Sequence, residues 1–311
     1  MKIYPLRNSR LLAEKIVKGY PSLSIGNITT QQFSDAEIKV EFGESIRGKK
    51  VILLGSLTKS DDIIEIMMAA DAAKRASAKE IIAIIPYLPY MRQDRKDTPR
   101  TAIGARVIAN MIETSGIDQV ITLDLHASQI EGFFNIPTTH LNGVAVFAPF
   151  IKANFDKDNT MIVSPDVGGA KRAKKFSKSL GLNLAIINKE REIANEVSNM
   201  ELLGNVKGKD VILVDDMVDT AGSLVKAVEL LKEEGANKIY ACISHGVLSG
   251  PARDRIHGSK LEKLYITDSI DNHVIEIAGV SINIVSCATI LRTTIMRIKE
   301  KKSVNELMEL V

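Results

Sequence analysis

The fold is decided by one stretch of the chain, Val211-Ile212-Leu213-Val214-Asp215-Asp216-Met217-Val218-Asp219-Thr220-Ala221-Gly222-Ser223. Its first four residues are apolar and mostly β-branched, which predicts a buried strand of a parallel sheet that ends at Val214. A turn of small residues follows and opens a helix that places Leu224, Val228 and Leu231 on one face. This order of strand, turn and helix is typical of α/β proteins.

Three carboxylates, those of Asp215, Asp216 and Asp219, follow the predicted strand. Because free N–H groups and the dipole at a helix start favour an anion, the turn at 220–223 predicts a phosphate site. Carboxylates beside it suit sugar hydroxyls, which donate hydrogen bonds to them. The stretch therefore predicts a pocket for a phosphorylated sugar. An alternative stays open, in which the Asp and Thr residues only cap the helix.

The composition places the chain among ordinary globular proteins. Its 311 residues suffice for two domains, and 41 basic against 38 acidic residues leave a net charge of +3, which disfavours a nucleic-acid binder. The two cysteines, Cys242 and Cys287, cannot form a disulfide framework, which indicates a reducing cytoplasm. No apolar run has the length of a membrane span. We therefore expect a cytoplasmic protein that binds neither nucleic acid nor membrane.

Strand and helix patterns alternate along the whole chain, which predicts parallel sheets whose ligands bind beyond the carboxyl ends of the strands. The predicted strands are 51–54, 81–85, 120–123, 161–163, 184–187, 211–214, 239–243, 263–266 and 282–285. The predicted helices are 61–77, 102–114, 168–179 and 222–234.

A weak internal duplication predicts two similar halves. The strand at 120–123 and the acid Asp124 echo the strand at 211–214 and Asp215, at an offset of 91 residues (211 minus 120). A boundary near 137–143 follows, and the chain contains no low-complexity linker.

Several other segments at strand ends carry polar side chains. Residues 33–37 form a short polar turn that indicates a hairpin or loop. The loop at 86–96 combines two tyrosines with arginines, which suits a nucleotide base and its phosphates, although a solvated loop is the more ordinary explanation of this segment by itself. His126 follows the strand at 120–123, where a structural histidine is the ordinary explanation.

Two further segments favour anions. Asp166, Gly168 and Gly169 connect a strand to a basic helix start; the glycines let the backbone approach a polyphosphate, although an ordinary glycine turn is the alternative. Lys189 and Arg191 place two cations just after a strand.

Taken together, these motifs resemble the ribose-phosphate pyrophosphokinases (phosphoribosyl pyrophosphate synthetases) over nearly the whole chain. The segments that carry the resemblance are Phe-Ser-Asp-Ala-Glu at 33–37, Lys-Arg-Ala-Ser-Ala-Lys at 74–79, Arg-Gln-Asp-Arg-Lys at 92–96, Asp-Leu-His-Ala at 124–127, Gln-Ile-Glu-Gly-Phe-Phe at 129–134, Ser-Pro-Asp-Val-Gly-Gly at 164–169 and the stretch at 214–223. The last is shared with many phosphoribosyltransferases, whereas the 92–96 and 124–126 segments narrow the resemblance to the synthetases.

The resemblance implies an α/β fold of two similar phosphoribosyltransferase-like domains, each a mostly parallel sheet flanked by helices. We expect them at 1–140, completed by a C-terminal helix at 295–311, and at 141–294. The implied reaction transfers the diphosphoryl group of ATP to the 1-hydroxyl of ribose 5-phosphate, giving phosphoribosyl pyrophosphate and AMP for nucleotide biosynthesis. Mg²⁺ is the implied cofactor, and a homo-oligomer, with a hexamer favoured, is the implied assembly.

The resemblance also implies a role for each matching residue. The implied catalytic residues are Lys189 and Arg191. ATP would be held by Asp35, Ala36, Glu37, Arg92 and Gln93. Ribose 5-phosphate would be held by Asp215, Asp219, Thr220, Ala221, Gly222 and Ser223. The pyrophosphate loop would comprise Asp166, Gly168 and Gly169, and the metal would face His126 and Asp166.

The chain departs from the family pattern at a few positions. Ala36 stands where the family usually has Gly, and its methyl group restricts positive φ. Ser223 replaces the usual Thr and keeps the hydroxyl, and the loop after Lys96 is shorter than usual. Two alternatives are a non-catalytic regulatory subunit of a synthetase complex and a phosphoribosyltransferase. The presence of Lys189 and Arg191 favours an enzyme.

Overall fold

The computed structural model describes residues 1–190, 199–271, 280–304 and 307, apart from the side chains of Lys189, Glu190, Asn199 and Ser281. Its contacts divide the chain into two units. The first unit comprises Met1–Asn142, Ser269–Asp271 and Ala288–Met308, and the second comprises Gly143–Asp268 and Asn272–Cys287.

Strands and helices alternate through most of the described chain. The strands are β1 Lys2–Pro5, β2 Ser24–Ile25, β3 Ile28–Gln32, β4 Ile38–Phe42, β5 Lys50–Leu54, β6 Glu80–Ile85, β7 Gln119–Leu123, β8 Thr138–Leu141, β9 Thr160–Ser164, β10 Asn183–Glu190, β11 Asn199–Leu203, β12 Asp210–Val218, β13 Ile239–Gly246, β14 Lys263–Ile266 and β15 Ser281–Ile284. The α-helices are α1 Arg10–Val17, α2 Ser60–Arg75, α3 Gly104–Thr114, α4 Val144–Asn154, α5 Ala170–Leu180, α6 Gly222–Glu233, α7 Ala252–His257 and α8 Ala288–Lys299.

The first unit is built on a six-stranded parallel sheet of order β2-β1-β5-β6-β7-β8. After their polar first residues, the central strands β5 and β6 are apolar, as is typical of a parallel sheet that is covered on both faces; Val51, Leu53 and Ile82, for example, are fully buried. The strands β3 and β4 form a separate antiparallel hairpin.

The helix α8 belongs to the first unit and packs on α1. Its Leu291 and Ile295 are fully buried. Arg292 donates hydrogen bonds from Nε to the carbonyl of Ile16 at 2.7 Å and from Nη2 to the carbonyl of Lys15 at 2.6 Å. These bonds satisfy carbonyls in the last turn of α1 that have no partner within the helix.

The second unit is built on a seven-stranded sheet of order β11-β10-β9-β12-β13-β14-β15. Only the pair β10–β11 is antiparallel. The central strand β12 lies between β9 and β13, and α6 follows it directly. Val211, Leu213, Val228 and Leu231 are buried in one core cluster, as the apolar pattern predicts.

The two sheets repeat one topology, which bears out the expected similarity of the halves but corrects the match at an offset of 91 residues. In each sheet the first strand pairs with the second on one side and with the next long parallel strand on the other. By this order β12 corresponds to β5, and β7 corresponds to β14. The sequence match between 120–124 and 211–215 is therefore wrong, because apolar strands that end in an acid look alike at any position of a parallel sheet.

All nine predicted strands and four predicted helices are present, with shifted ends. The predicted C-terminal helix at 295–311 has other bounds: it begins at Ala288 and ends at Lys299, and Lys301 has a φ of +56°. A left-handed residue such as Lys301 stops an α-helix. The domain limits 1–140 and 141–294 stay a prediction.

Within the described ranges, no helix is both long and apolar enough to cross a bilayer.

Candidate active site

The prediction that β12 ends at Val214 is wrong, because the strand continues to Val218. The reason is its neighbour β13, which extends the parallel ladder by pairing Asp215 with Ile243 and Met217 with His245. Asp215 and Asp216 therefore lie within the paired part of β12 instead of after it.

Asp215 and Asp216 share one cation. Arg172, from the first turn of α5, places Nη1 3.2 Å from Oδ1 of Asp215 and 3.2 Å from Oδ1 of Asp216. Asp216 is 3 % exposed, so its charge depends on this partner. Burial and, next, the nearby Asp216 raise the pKa of the Asp215 carboxyl well above its ordinary value, and the Arg172 charge opposes that rise. A donor such as a sugar hydroxyl would stabilise the ionised form.

The turn after β12 ends at Ala221, which is the N-cap of α6 and has a φ of +60°. The N-cap residue is an alanine and, within the described residues, no side-chain cap hydrogen bond is present, so the alternative in which Asp and Thr residues serve as the caps is wrong. The carbonyl of Ala221 accepts the first helical hydrogen bond, from the N–H of Val225, at 3.0 Å. The start of α6 is thus left for another acceptor, as a phosphate site requires.

The predicted pyrophosphate loop connects β9 to α5. Oδ1 of Asp166 accepts the N–H of Gly169 at 2.8 Å, and the carbonyl of Asp166 accepts the hydroxyl of Ser164 at 2.7 Å. A Cβ at Gly169 would lie 2.9 Å from Oγ of Ser164, so a larger residue would force the loop or this hydroxyl to shift. The charge of Asp166 also contributes to the raised pKa of Asp215, because these two site residues lie near each other.

His126 is exposed and follows β7 through a strained connection, since Asp124 is buried and has a φ of +44°. The N–H of Leu125 donates to Nε2 of His140 at 2.9 Å, and Nδ1 of His140 lies 2.8 Å from Oε1 of Glu131. With Nε2 accepting, the proton is assigned to Nδ1, which donates to the carboxylate. His140 therefore holds the backbone beside His126, a role that no sequence pattern indicated.

The residues at 33–37 form the loop of the β3–β4 hairpin, which confirms the hairpin alternative. The N–H of Phe33 donates to the carbonyl of Glu37 at 2.8 Å, and the N–H of Ala36 donates to the carbonyl of Phe33 at 3.0 Å. Ala36 has a φ of +73°, the position that favours glycine in such a loop. Asp35, Ala36 and Glu37 are all exposed.

Arg92 and Gln93 are exposed in the loop before α3. The N–H of Gln93 donates to the carbonyl of Tyr90 at 2.9 Å. A Cβ at Gly104 would lie 2.6 Å from the side-chain oxygen of Gln93. Nε2 of Gln129 donates to Oδ2 of Asp94 at 3.1 Å. The structure thus brings the 92–96 segment and the segment after His126 together.

The structure describes the two predicted catalytic residues only in part. Lys189 lies in β10 and pairs with Met200 of β11, and its side chain is not among those described. Arg191 lies outside the described residues.

Comparison with known proteins decides the family. Residues 1–116 match a family model described as the N-terminal domain of ribose phosphate pyrophosphokinase, and residues 191–309 match the phosphoribosyl synthetase-associated domain. A ribose-phosphate pyrophosphokinase of Porphyromonas gingivalis is 44% identical over 96% of this chain and 95% of its own. One of Rhizobium meliloti is 43% identical over 99% of this chain and 100% of its own. This chain belongs to the ribose-phosphate pyrophosphokinase family.

A solved structure supports the same assignment. The phosphoribosylpyrophosphate synthetase from Mycobacterium smegmatis superposes with a TM-score of 0.86 at 34% identity, over 96% of this chain and 99% of that one. The predicted ribose-phosphate pyrophosphokinase family and its fold of two phosphoribosyltransferase-like domains are therefore confirmed. The prediction of an enzyme is confirmed as well, and the non-catalytic subunit and the phosphoribosyltransferase are not favoured.

Proposed function

We propose that this ribose-phosphate pyrophosphokinase binds its sugar substrate at the β12–α6 loop. The enzyme transfers the diphosphoryl group of ATP to the 1-hydroxyl of ribose 5-phosphate, and AMP is the second product. One observation carries the proposal: a pair of carboxylates, Asp215 and Asp216, lies near the end of β12, and after residues 217–221 the chain enters a helix for which no described side chain serves as a cap. Sugar hydroxyls suit the first group and a phosphate suits the second.

The roles proposed within this loop come from the family pattern and are supported by its geometry. Asp215 would accept hydrogen bonds from the ribose hydroxyls, while Arg172 keeps the carboxylate pair from repelling itself. The segment Asp219, Thr220, Ala221, Gly222 and Ser223 would hold the 5-phosphate through backbone N–H groups and hydroxyls. Asp166, Gly168 and Gly169 would hold the pyrophosphate at the start of α5, where the glycines let the backbone approach closely.

The donor nucleotide is assigned to residues of the first unit. Asp35, Ala36 and Glu37 in the hairpin loop, with Arg92 and Gln93, would bind ATP, and all five are exposed and accessible. Lys189 and Arg191 would stabilise the charge of the group in transfer, because this reaction is accelerated mainly by positioning and charge neutralisation. Their roles are supported by the family pattern.

Mg²⁺ is proposed as the cofactor, with Asp166 of the second unit as an oxygen donor and His126 of the first unit as a residue that would face a metal. Among the described side chains, no group of three or more His, Cys, Asp or Glu could hold a metal by itself. The carboxylate of Asp166 fits Mg²⁺, which proteins often hold through one or two carboxylates together with substrate phosphates. When bound, the ion would neutralise charge on the phosphate oxygens. Asp166 is the better donor, because Mg²⁺ prefers oxygen to imidazole nitrogen.

The setting of the enzyme is proposed on the same grounds. The family membership supports a homo-oligomer, with a hexamer favoured, that acts in the cytoplasm on ATP and ribose 5-phosphate. The near balance of acidic and basic residues supports the absence of nucleic-acid partners.

A product analysis tests the reaction. The protein, ATP and Mg²⁺ are incubated with and without ribose 5-phosphate, and the nucleotides are separated. We expect AMP only when the sugar phosphate is present. Formation of ADP, or of AMP without the sugar phosphate, contradicts diphosphoryl transfer to this acceptor.

A substitution tests the catalytic assignment. Lys189→Ala should lower turnover by about two orders of magnitude or more while ATP binding changes little, since a transition-state contact acts on turnover. Lys238→Ala, at an exposed position of the same unit, is the matched control. Equal turnover of the two variants would remove Lys189 from the catalytic role.

A further inference from the structure

The segment that follows β13, residues 247–255, lies along the sugar-phosphate loop, and we call it the clamp segment. The N–H groups of Val247 and Leu248 donate to the carbonyl of Val218 at 2.9 and 3.0 Å. The next two carbonyls of the loop are bonded in the same way. The N–H of Ser249 donates to the carbonyl of Asp219 at 3.1 Å, and Nη1 of Arg255 donates to the carbonyl of Thr220 at 3.0 Å.

Three successive carbonyls therefore face the clamp segment. The described chain contains no cis peptide bond, and in a trans peptide the C=O and the N–H of the next residue point to opposite sides. The N–H groups of Asp219, Thr220 and Ala221 consequently point away from the clamp segment. Because these N–H groups precede α6, the clamp segment orients the donors of the proposed phosphate site.

Arg255 differs from the other donors because it carries a charge. Its hydrogen bond polarises the peptide between Thr220 and Ala221, which makes the N–H of Ala221 a stronger donor. That peptide needs support, since Ala221 has a φ of +60° and is buried. A Cβ at Gly222 would lie 3.2 Å from Nη1 of Arg255, so glycine makes room for the guanidinium.

The position of this charge also favours an anion. Arg255 lies beside the first residues of α6, a helix of 12 residues. The start of a helix already carries partial positive charge, so a cation is unfavourable there by itself. A phosphate bound at this helix start is attracted by both positive charges, whereas a neutral hydroxyl gains little.

We propose that Arg255 is a positioning residue for the 5-phosphate of the sugar substrate. It fixes the Thr220–Ala221 peptide and adds positive charge beside it. It thereby sets the preference for a phosphorylated sugar over the free sugar. This inference rests on the proposed function of the β12–α6 loop.

The test compares Arg255→Ala with Arg253→Ala, which removes an exposed arginine from the same short helix. We measure KM for ribose 5-phosphate, KM for ATP, kcat, and kcat/KM with free ribose as the acceptor. Arg255→Ala should raise KM for ribose 5-phosphate by about tenfold, the typical effect of one charge-assisted hydrogen bond, with kcat and KM for ATP within about twofold. The ratio of kcat/KM for ribose 5-phosphate to that for ribose should also fall about tenfold. Arg255→Lys, which keeps the charge, should recover part of the loss.

Three results would overturn the inference. One is an equal KM for ribose 5-phosphate in the Arg255 and Arg253 variants, and another is an unchanged ratio between the two sugars. The third applies if Arg255→Ala does not fold, in which case Arg255→Lys replaces it in the test. The inference then fails if Arg255→Lys has the wild-type KM for ribose 5-phosphate and the wild-type ratio of kcat/KM between ribose 5-phosphate and ribose. If the wild type forms no AMP, the proposed function fails, and calorimetric binding of ribose 5-phosphate to the same proteins still tests Arg255.

Discussion

Replacement of Glu65 tests how the hairpin β3–β4 is held. Glu65 lies in α2 and is 0% exposed. Its carboxylate accepts three hydrogen bonds: from the N–H of Arg7 at 3.1 Å, from Nε of Arg7 at 3.0 Å and from the hydroxyl of Thr30 at 2.7 Å. Since Thr30 belongs to β3, this one side chain joins the hairpin to the helix.

The magnitude follows from what Glu65→Ala leaves behind. Breaking a buried ion pair costs about 3–5 kcal/mol. The side chain of Arg7 is 34% exposed and can turn to water, so the cost falls to the low end, about 3 kcal/mol. A change of 1 kcal/mol shifts the melting temperature by about 2–4 °C in a unit of this size, so we expect a decrease of about 6–12 °C. Glu65→Gln, which keeps the volume and one acceptor, should lose about half as much.

Thermal unfolding followed by circular dichroism measures this effect. The matched pair Thr30→Val and Thr29→Val separates the contact from the strand: Thr30 bonds Glu65, whereas Thr29 is exposed. We expect a lower melting temperature only for Thr30→Val, together with a higher KM for ATP, because the hairpin loop carries the proposed ATP residues. Melting of Glu65→Ala within about 2 °C of the wild type would refute the reasoning.

Three further predictions concern the site loops. Burial and the neighbouring acid raise the pKa of Asp215, so the folded protein holds this proton more tightly than the unfolded chain does, and the contribution of Asp215 to stability falls as pH rises above about 4. In metal-free buffer, the melting temperature of Asp215→Asn relative to the wild type should therefore rise between pH 5 and 8, and a constant difference would contradict this. Ala36→Gly should stabilise the protein by about 0.5 kcal/mol in urea unfolding, because it relieves a φ of +73°, and a loss of stability would count against it. Gly169→Ala should destabilise by about 1–3 kcal/mol because its Cβ would lie 2.9 Å from the buried Ser164 hydroxyl, whereas Gly168→Ala, 3.3 Å from its nearest neighbour, should change less.

The fold was predictable where the local pattern alone decides the structure. The apolar run before Asp215 predicts β12, and the turn after it predicts α6, because both depend on residues close in sequence. The extension of β12 to Val218 depends on pairing with β13, a contact between distant segments that no local pattern records. For the same reason, the two-residue strand β2, which forms by pairing with β1, was not predicted.

The site was predictable residue by residue but not in its contacts. The carboxylates at 215 and 216 stand out in the sequence, whereas their partner Arg172 is 43 positions away from Asp215 and looks like any cation on a basic helix. His140 and Arg255 gave no signal at all, since each acts on a backbone group of another segment. Ala36 is the converse case: its departure from the family pattern indicated a restricted φ, and the structure has it in the left-handed region.

The return of α8 to the first unit has a consequence for synthesis on the ribosome. Arg292 lies 276 positions after Ile16, whose carbonyl it binds. At roughly 5–20 residues per second, translation of that interval takes about 14–55 s. During this time the nascent first unit lacks the side chains that cover α1, and its apolar surface there is open to water or to a chaperone. The unit that leaves the ribosome first is therefore the one that is completed last.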